Sequence, residues 1–335
     1  MYRKIMDYLK EWKHSEHRKP LILQGARQVG KTYSILEFGR TCYENVAYFN
    51  FETNPKLNET FAENISPDYL IPILSHIAGQ TIIREKTLIV FDEVQLCERA
   101  LTSLKYFCED APEYHIIVAG SLLGVAVNRT RFSFPVGKVD MKTLYPMDME
   151  EFMLASGEEQ LVELIKKCFQ TDTPMPAALH DAAMQLYRQY LVVGGMPECV
   201  MQFIQTKDYI LVRNTQNTIL ASYLNDMSKY NNLSEIKKTR LAYDNITVQL
   251  SKKNTRFQYK LIKKGGRASE FENAIEWLCL SGIVSQVYKV EQIKKPLENY
   301  RDIDAFKIYV SDLGLLCAKK RIDGKRYTLY GERTG

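Results

Sequence analysis

The sequence predicts an α/β fold in which helices cover both faces of a mostly parallel sheet, followed by a helical segment and a winged-helix-like domain. In the first half of the chain, short and wholly apolar segments alternate with helical stretches, which is typical of parallel strands buried on both faces. The middle of the chain has helical periodicity, and a helix–helix–strand pattern follows it. A chain of 335 residues is long enough for two or three domains.

The first predicted domain spans residues 1–155. It begins with an amphipathic helix over Ile5–Trp12, whose apolar residues recur at helical spacing. Buried strands are predicted after it, and they are separated by stretches of helical character. These strands are Pro20–Gln24, Val46–Phe51, Thr87–Phe91 and His115–Ala119.

A glycine-rich loop, Gly25–Thr32, follows the first strand and leads into a helix. It has the P-loop pattern G-x-x-x-x-G-K-[ST], in which glycines let the backbone wrap a phosphate and the helix start offers free N–H donors. Lys31 would meet the β- and γ-phosphates, and Thr32 would ligate Mg²⁺. The sequence thus predicts a P-loop NTPase domain with ATP and Mg²⁺ as cofactors. The expected nucleotide-binding residues are Gly25, Ala26, Arg27, Gln28, Val29, Gly30, Lys31, Thr32 and Tyr33.

The third strand ends in an acidic pair, Asp92 and Glu93. An Asp at the tip of an apolar strand is typical of a carboxylate that holds Mg²⁺, and the adjacent Glu is placed to polarise an attacking water. A small-molecule kinase does not need this Glu, so the pair favours hydrolysis. The alternative is an ordinary pair of surface acids at a strand end.

The fourth strand leads into Gly120-Ser121, and Arg129 and Arg131 follow. Ser121 could sense the γ-phosphate, or it could be a helix N-cap. Arg129 could neutralise transition-state charge in its own chain or in a neighbouring copy, or it could be a solvated loop residue. The sequence has no Asn-Lys-x-Asp guanine motif, which favours ATP over GTP.

Together these residues resemble a family of predicted prokaryotic AAA-type ATPases that carry a C-terminal domain of unknown function. The resemblance covers essentially the whole chain, and its most specific part is the run Gly-Ala-Arg-Gln before Val-Gly-Lys-Thr. The segments that carry it are Leu23–Thr32, Phe91–Gln95, Ala119–Ser121, Leu144–Phe152, Gly194–Glu198, Glu276–Leu278 and Phe306–Gly314.

The resemblance implies an ATPase core with an extra central strand, a helical connection, a winged-helix-like module and a terminal domain similar to restriction endonucleases. The sequence stops at Gly335, where the family usually continues into the nuclease-like domain, so we expect a truncated domain over residues 301–335. The tail has no convincing Asp…(Asp/Glu)-x-Lys set. Nuclease activity is therefore not expected.

The helical connection is expected over residues 156–232. Helical patterns are predicted at Met147–Phe169, broken at Gly157, and at Ala177–Val192, with Pro197 beginning the next helix. This region could act as a lid over the nucleotide or as a spacer.

The winged-helix-like domain is expected over residues 233–300. A helix from Ser234 to about Leu250, a short strand at Phe257–Leu261, a helix at Ala268–Ser281 and a strand at Ile283–Val290 suit a winged helix-turn-helix.

Positive charge is concentrated in this region. Residues 234–267 contain ten Lys or Arg and two acids, a net +8, which leaves the rest of the chain at −3 against the overall +5. Such a block predicts an anionic partner, and double-stranded DNA contacted through residues 237–267 is the candidate. The alternative is a solvated face of a module that only packs between domains.

Composition excludes several classes. No apolar run approaches the roughly 20 residues that span a bilayer, so no membrane partner is expected. The seven cysteines form no Cys-x-x-Cys pair, which predicts reduced thiols and a cytoplasmic location. Two functions stay open. One is an ATP hydrolase that couples nucleotide state to a DNA-facing module. The other is a nucleotide-dependent switch or scaffold acting on a protein partner or a homo-oligomer.

Overall fold

The computed structural model describes residues 1–120, 135–229, 233–252, 256–322 and 324. The chain divides into two compact units, Tyr2–Tyr145 and Pro146–Gly335. Within the described ranges, no helix combines the length and the apolar character needed to cross a bilayer. All seven cysteines lie in these ranges and are free thiols.

The first unit contains a parallel sheet of five strands in the order β2-β3-β4-β1-β5. The central strands β1, β3 and β4 are almost entirely buried, which explains why they are apolar throughout, whereas β2 and β5 are edge strands with partly exposed residues. Strand β4 lies between β1 and β3 and is the extra central strand that was expected. The strands are β1 (Leu21–Gln24), β2 (Asn45–Asn50), β3 (Thr87–Asp92), β4 (His115–Ala119) and β5 (Asp140–Thr143).

In the described part of the first unit, five helices accompany this sheet, and the predicted α/β class is confirmed. The first helix buries Ile5, Leu9 and Trp12, the apolar stripe seen in the sequence. Aromatic rings add to the core, because Phe61 packs edge-on against Phe91 with ring centroids 5.5 Å apart. The helices are α1 (Ile5–His14), α2 (Lys31–Cys42), α3 (Leu57–Glu63), α4 (Pro67–Ala78) and α5 (Glu98–Asp110).

The second unit begins with helices, as predicted, and Gly157 separates the first two. The first of them starts at a capping box, in which the Asp148 side chain accepts from the Glu151 N–H and the Glu151 side chain accepts from the Asp148 N–H. Pro197 begins the fourth helix, where its missing N–H carries no cost. The helices are α6 (Met149–Ala155), α7 (Glu159–Gln170), α8 (Ala177–Val193), α9 (Pro197–Thr206) and α10 (Tyr209–Lys229).

The remaining described elements form a helical group and a two-stranded antiparallel hairpin of β6 and β7. The two hairpin strands lie on either side of residue 300, where a domain boundary was expected. The elements are α11 (Leu233–Ser251), α12 (Tyr259–Ile262), α13 (Ala268–Leu280), β6 (Val284–Val290), β7 (Arg301–Val310) and α14 (Leu313–Lys319).

The strand predicted at Phe257–Leu261 is wrong, because this segment forms the short helix α12. Only the Phe257 N–H pairs with the hairpin, donating to the Phe306 carbonyl at 2.7 Å. Side chains of α11 take the next backbone groups: Gln249 Oε1 accepts from the Gln258 N–H at 2.7 Å, and Asn245 Nδ2 donates to the Leu261 carbonyl at 2.8 Å. These bonds occupy groups that a strand would need for its ladder.

Glycines of the second unit lie where chain segments cross too closely for a side chain. A Cβ on Gly195 would lie 1.9 Å from the Met147 carbonyl oxygen, and one on Gly314 would lie 2.3 Å from the Val193 carbonyl oxygen. The Met147 N–H also donates to the Gly195 carbonyl at 2.7 Å. Three segments that carry the family resemblance therefore meet in one crossing, which we call the glycine crossing.

Asp312 completes the glycine crossing. Its Oδ2 accepts from the Gly195 N–H at 2.6 Å, and its Oδ1 accepts from the Leu315 N–H at 2.8 Å in the first turn of α14. Burial raises the pKa of this carboxyl to about 6, and the backbone donors of Gly195, Leu315 and Gly314 oppose that rise. The crossing thus contains a buried anion supplied by the chain itself.

Candidate functional site

The glycine-rich loop Gly25–Thr32 connects β1 to α2 and has the backbone that its pattern predicts. Gly25, Gln28 and Gly30 have φ angles of 147°, 65° and 91°. All three values lie in the region that favours glycine, and glycine occupies two of the three positions. A Cβ on Gly25 would also lie 2.2 Å from the Leu144 carbonyl oxygen. Only glycine fits there, because the loop presses against the segment that follows β5.

Helix α2 begins without a side-chain cap. Its N-cap residue is Gly30, which has no side chain to accept from the first-turn N–H groups, and the first turn carries no acidic residue. Such a helix start has backbone donors and a partial positive charge to offer an anion. The loop and the helix start together have the chemistry of a phosphate cradle.

Lys31 is buried at the start of α2, with 8% of its surface exposed. Its Nζ donates to the carbonyls of Gly25 at 2.9 Å and Ala26 at 2.8 Å, so the side chain is held inside the loop. Burial lowers the Lys31 pKa to about 8, and the charges of Glu93 and Asp92 oppose that shift. A phosphate near Nζ would favour the charged form in the same way.

Asp92 lies at the end of β3 and is joined to α2 by a hydrogen bond. Thr32 Oγ1 donates to Asp92 Oδ2 at 2.9 Å, and the Glu93 N–H donates to Asp92 Oδ1 at 3.0 Å. A hydroxyl and a carboxylate side by side are oxygen donors of the kind that Mg²⁺ takes in phosphate-binding sites. The residues present therefore fit the metal that the sequence predicted.

Tyr48 is a site residue that sequence analysis missed. Its hydroxyl donates to Asp92 Oδ2 at 2.8 Å and accepts from Asn50 Nδ2 at 3.2 Å. A tyrosine hydroxyl has only one hydrogen. Because Asn50 donates to the hydroxyl oxygen, that hydrogen is available for the bond to Asp92. Burial, followed by its contacts with Asp92, raises the Tyr48 pKa to about 12, which keeps the hydroxyl a donor at neutral pH. Its position in a predicted strand gave no sign of this contact.

Arg3 is a second missed residue. It precedes α1 and is 5% exposed, and its guanidinium donates to the carbonyls of Val29 at 2.9 Å and Tyr145 at 2.8 Å. The side chain thus joins the glycine loop to the last residue of the first unit. A single arginine before an amphipathic helix carries no pattern from which this role could be inferred.

Glu93 directly follows β3 in a left-handed conformation, with φ 51°. Its Oε2 accepts from Gln95 Nε2 at 2.5 Å. A left-handed glutamate is uncommon, and such backbone strain is concentrated at functional sites. The structure therefore brings Glu93, Asp92, Lys31 and Thr32 together at the ends of β3 and β1.

The other predicted residues are placed as follows. Ala26 and Val29 are buried in the loop, Arg27 and Gln28 are partly or fully exposed on it, and Tyr33 is 58% exposed on α2. Ser121, Arg129 and Arg131 lie outside the described residues. Their expected roles remain predictions.

Two family models match the chain. Residues 17–153 match a family described as an AAA domain, and residues 184–326 match a domain of unknown function, DUF8612. The second description names neither a structure nor an activity, so the winged-helix and nuclease-like expectations stay predictions. No curated protein matches the sequence significantly.

Solved structures extend this comparison. The chain is similar to the Walker-type ATPase PABY2304 of Pyrococcus abyssi, with 13% identity over 95% of both chains and a TM-score of 0.57. At this identity, the likeness shows the fold alone. Weaker likenesses are the ORC2 protein of Aeropyrum pernix (12% identity, 94% and 91% of the two chains, TM-score 0.39) and the RuvB Holliday junction branch migration motor of Thermotoga maritima (12%, 92% and 90%, 0.37).

The fold of the first unit is therefore that of a P-loop NTPase. The AAA-domain match and this fold support a nucleotide-binding P-loop ATPase of the AAA type.

Proposed function

We propose that the chain is a Mg²⁺-dependent ATP hydrolase. The observation that carries the proposal is the convergence of Lys31, Thr32, Asp92 and Glu93 on one glycine loop. An uncapped helix start and a buried ammonium suit the phosphates, and a hydroxyl beside a carboxylate suits the metal. The missing guanine motif favours ATP over GTP.

Each side chain has a separate role in this proposal. Lys31 would contact the β- and γ-phosphates, and Thr32 and Asp92 would hold Mg²⁺. Bound Mg²⁺ supplies positive charge to the phosphate oxygens. Glu93 would take a proton from the attacking water. Ser121, as a sensor of the γ-phosphate, and Arg129, as a charge that neutralises the transition state, keep the roles expected from the sequence.

Lys31→Ala tests nucleotide binding. Loss of a charge-assisted contact at the phosphates should weaken ATP binding by about 100-fold or more in calorimetry. Lys10→Ala, an exposed lysine of α1, is the control and should bind as the wild type does. Unchanged affinity in Lys31→Ala would contradict the proposed site.

Glu93→Gln tests hydrolysis. The amide keeps the shape but cannot take a proton, so turnover should fall about 10²–10⁴-fold while ATP binding is retained. Glu52→Gln, which makes the same charge change at an exposed position just beyond β2, should leave turnover intact. Equal rates for Glu93→Gln and wild type would reduce Glu93 to a strand-end carboxylate.

We infer further that the second unit contacts duplex DNA through phosphates rather than base edges. The element order α11, α12, α13 and hairpin suits a winged helix, whose third helix would ordinarily read the major groove. Yet the exposed residues of α13 include Glu272, Asn273 and Glu276, and the helix has no lysine or arginine. Exposed positive charges lie before it, at Lys252, Arg256, Lys260, Lys264 and Arg267, and after it in the hairpin, at Lys289, Lys294, Lys295 and Arg301.

A salt titration tests this surface. Binding of labelled duplex should weaken as salt rises, with a log–log slope near −0.9 per phosphate contact. Replacing Lys260, Lys264 and Arg267 with Gln should flatten the slope by up to about 3. The control replaces three exposed lysines of the first unit with Gln and should leave the slope unchanged; these are Lys10, Lys56 and Lys105.

The acidic face of α13 favours a second candidate, a nucleotide-dependent switch that acts on a protein partner or a second copy of the chain. Absence of duplex binding at low salt, together with tight ATP binding and no Mg²⁺-dependent turnover, would favour the switch over the hydrolase.

A further inference from the structure

Gln95 lies in the 3₁₀ turn Val94–Leu96 that follows β3. Its amide Nε2 donates to Glu93 Oε2 at 2.5 Å. The orientation of the amide is fixed by chemistry, because the opposite orientation would place Gln95 Oε1 against a carboxylate oxygen. The side chain therefore holds the carboxylate proposed as the base.

The turn does not need this side chain. Its backbone bonds run from the Leu96 N–H to the Glu93 carbonyl at 3.0 Å and from the Cys97 N–H to the Val94 carbonyl at 2.9 Å. An amide that only stabilised the turn would bond to the backbone. Gln95 bonds instead to the carboxylate of Glu93.

Two costly features occur within three residues. Glu93 has a left-handed backbone, and Gln95 Oε1 is buried without a hydrogen-bond partner among the described residues. Each such group in a native protein requires an explanation, and a functional role is one of the known explanations. The unpartnered Oε1 is present only because residue 95 carries an amide, and the other half of that amide is bonded to the Glu93 carboxylate.

The held carboxylate belongs to the residue after Asp92, which accepts from Thr32 in the first turn of α2. The charges of Glu93 and Asp92 both favour the charged form of Lys31. The Glu93 carboxylate is therefore close enough to Lys31 to act on it, and Lys31 lies inside the loop through its bonds to Gly25 and Ala26.

We propose that Gln95 is a positioning residue, which fixes the Glu93 carboxylate for attack by water on the γ-phosphate. This rests on the proposed hydrolysis, in which Glu93 is the base. Gln95 touches neither nucleotide nor water in this role and acts only through Glu93.

Gln95→Leu is the decisive variant, because leucine keeps most of the volume and removes the amide. Turnover should fall roughly 10- to 100-fold, the usual cost of losing a group that orients a catalytic side chain, while ATP affinity stays within about twofold of wild type. In Glu93→Gln, adding Gln95→Leu should lower turnover no further, because both changes disable one unit.

Gln80→Leu is the matched control. Gln80 belongs to the same unit, and its amide donates to the Val46 carbonyl at 2.7 Å, a structural contact. Loss of this bond should lower the midpoint temperature of unfolding, and turnover should fall only as far as the lower stability explains. If Gln95→Leu lost activity only in proportion to its thermal midpoint, as this control does, the positioning role would be overturned.

A second readout is independent of turnover. In the nucleotide-free chain labelled with ¹³C-carboxyl glutamate, the Glu93 signal is identified by its loss in Glu93→Gln. It should shift in Gln95→Leu and stay in place in Gln80→Leu. A signal that does not shift in Gln95→Leu would overturn the contact itself. A signal that shifts, together with a wild-type chain that shows no Mg²⁺-dependent turnover, would overturn the proposed hydrolysis and the positioning role that rests on it, and would leave the contact standing.

If wild type hydrolyses ATP through Glu93 and Gln95→Leu is as active, the positioning role fails and the proposed function stands. A further loss when Gln95→Leu is added to Glu93→Gln would also overturn it, because Gln95 would then act by another route.

Discussion

Each unit contains a helix that begins at or next to a glycine, and the two helix starts differ in the group that meets them. At α14, Asp312 accepts from the Leu315 N–H and also binds the Gly195 N–H, so the chain supplies its own anion. At α2, the N-cap is Gly30 and the first turn has no acid. The first helix start lacks the internal anion that the second one has.

Glycines in these motifs have two different structural roles. In the glycine crossing, the missing side chains make room for another segment of the same chain. In the loop Gly25–Thr32, Gly25 also makes room for the chain, at the Leu144 carbonyl, but Gly30 leaves the helix start without a cap. A helix start that already binds a buried acid of its own chain is structural. A helix start without such an acid can receive a phosphate.

The largest effect is expected from a variant that disrupts the glycine crossing. Gly195→Ala would place a Cβ 1.9 Å from the Met147 carbonyl oxygen, and backbone must move to relieve the contact. We expect a loss of more than about 3 kcal/mol in the free energy of unfolding, measured by urea denaturation.

Gly157→Ala is the control for that change. Its φ is 82°, and no atom lies within 4 Å of a Cβ there, so only backbone strain opposes the alanine. A loss of about 1–2 kcal/mol is expected. Equal losses in the two variants would show that the close crossing at Gly195 relaxes easily.

The internal anion should give the second unit a distinct pH response. The folded pKa of Asp312 is about 6, above its ordinary 3.8, so the folded chain binds more protons between these values. Its contribution to the free energy of unfolding is therefore complete below about pH 4 and falls as pH rises to 6, by up to about 3 kcal/mol.

Urea denaturation of wild type and Asp312→Asn at several pH values isolates this contribution. The stability of wild type relative to the variant should decline across the window. A difference that is independent of pH would contradict the raised pKa of Asp312.

At the nucleotide loop, pH should act on binding. Burial lowers the Lys31 pKa to about 8, so the free protein loses this charge above pH 8, while bound phosphates require it. ATP affinity should fall as pH rises through 8, by up to about tenfold per unit. Calorimetry from pH 7 to 9.5 measures this, and Lys31→Met should show weak binding without that slope.

The smallest expected effect concerns Tyr48. Tyr48→Phe removes the hydroxyl that donates to Asp92 Oδ2 and leaves the ring in place. The Mg²⁺ concentration for half-maximal turnover should rise about 3- to 10-fold, the worth of one hydrogen bond to a charged group. Tyr69→Phe, which removes a hydroxyl that donates to Glu63 outside the glycine loop, should leave that concentration unchanged.

The sequence predicted the first unit well because its signals are local. Apolar strands, the loop pattern and the Asp92–Glu93 pair each lie within a few residues. Strand β5 was not predicted, because only one of its four residues is apolar. Tyr48 and Arg3 were missed because their contacts join positions 44 and 142 residues apart in the chain.

The wrong strand at Phe257–Leu261 has the same cause. Its alternating pattern is compatible with a strand, but Gln249 and Asn245 of α11 bind the backbone of that segment and favour the short helix. The local pattern of apolar residues does not show which distant side chain will form a hydrogen bond with a backbone group in place of a neighbouring strand. The glycine crossing was likewise visible only as separate motifs.

Arg3 has a consequence for the order in which the first unit is completed during synthesis. Its guanidinium joins Val29 to Tyr145, which is made 142 residues after Arg3. At about 5–20 residues per second, the ribosome reaches Tyr145 roughly 7–30 s later. The glycine loop therefore leaves the ribosome early and gains its last support only when the whole unit has emerged, so nascent chains shorter than the unit should bind ATP poorly.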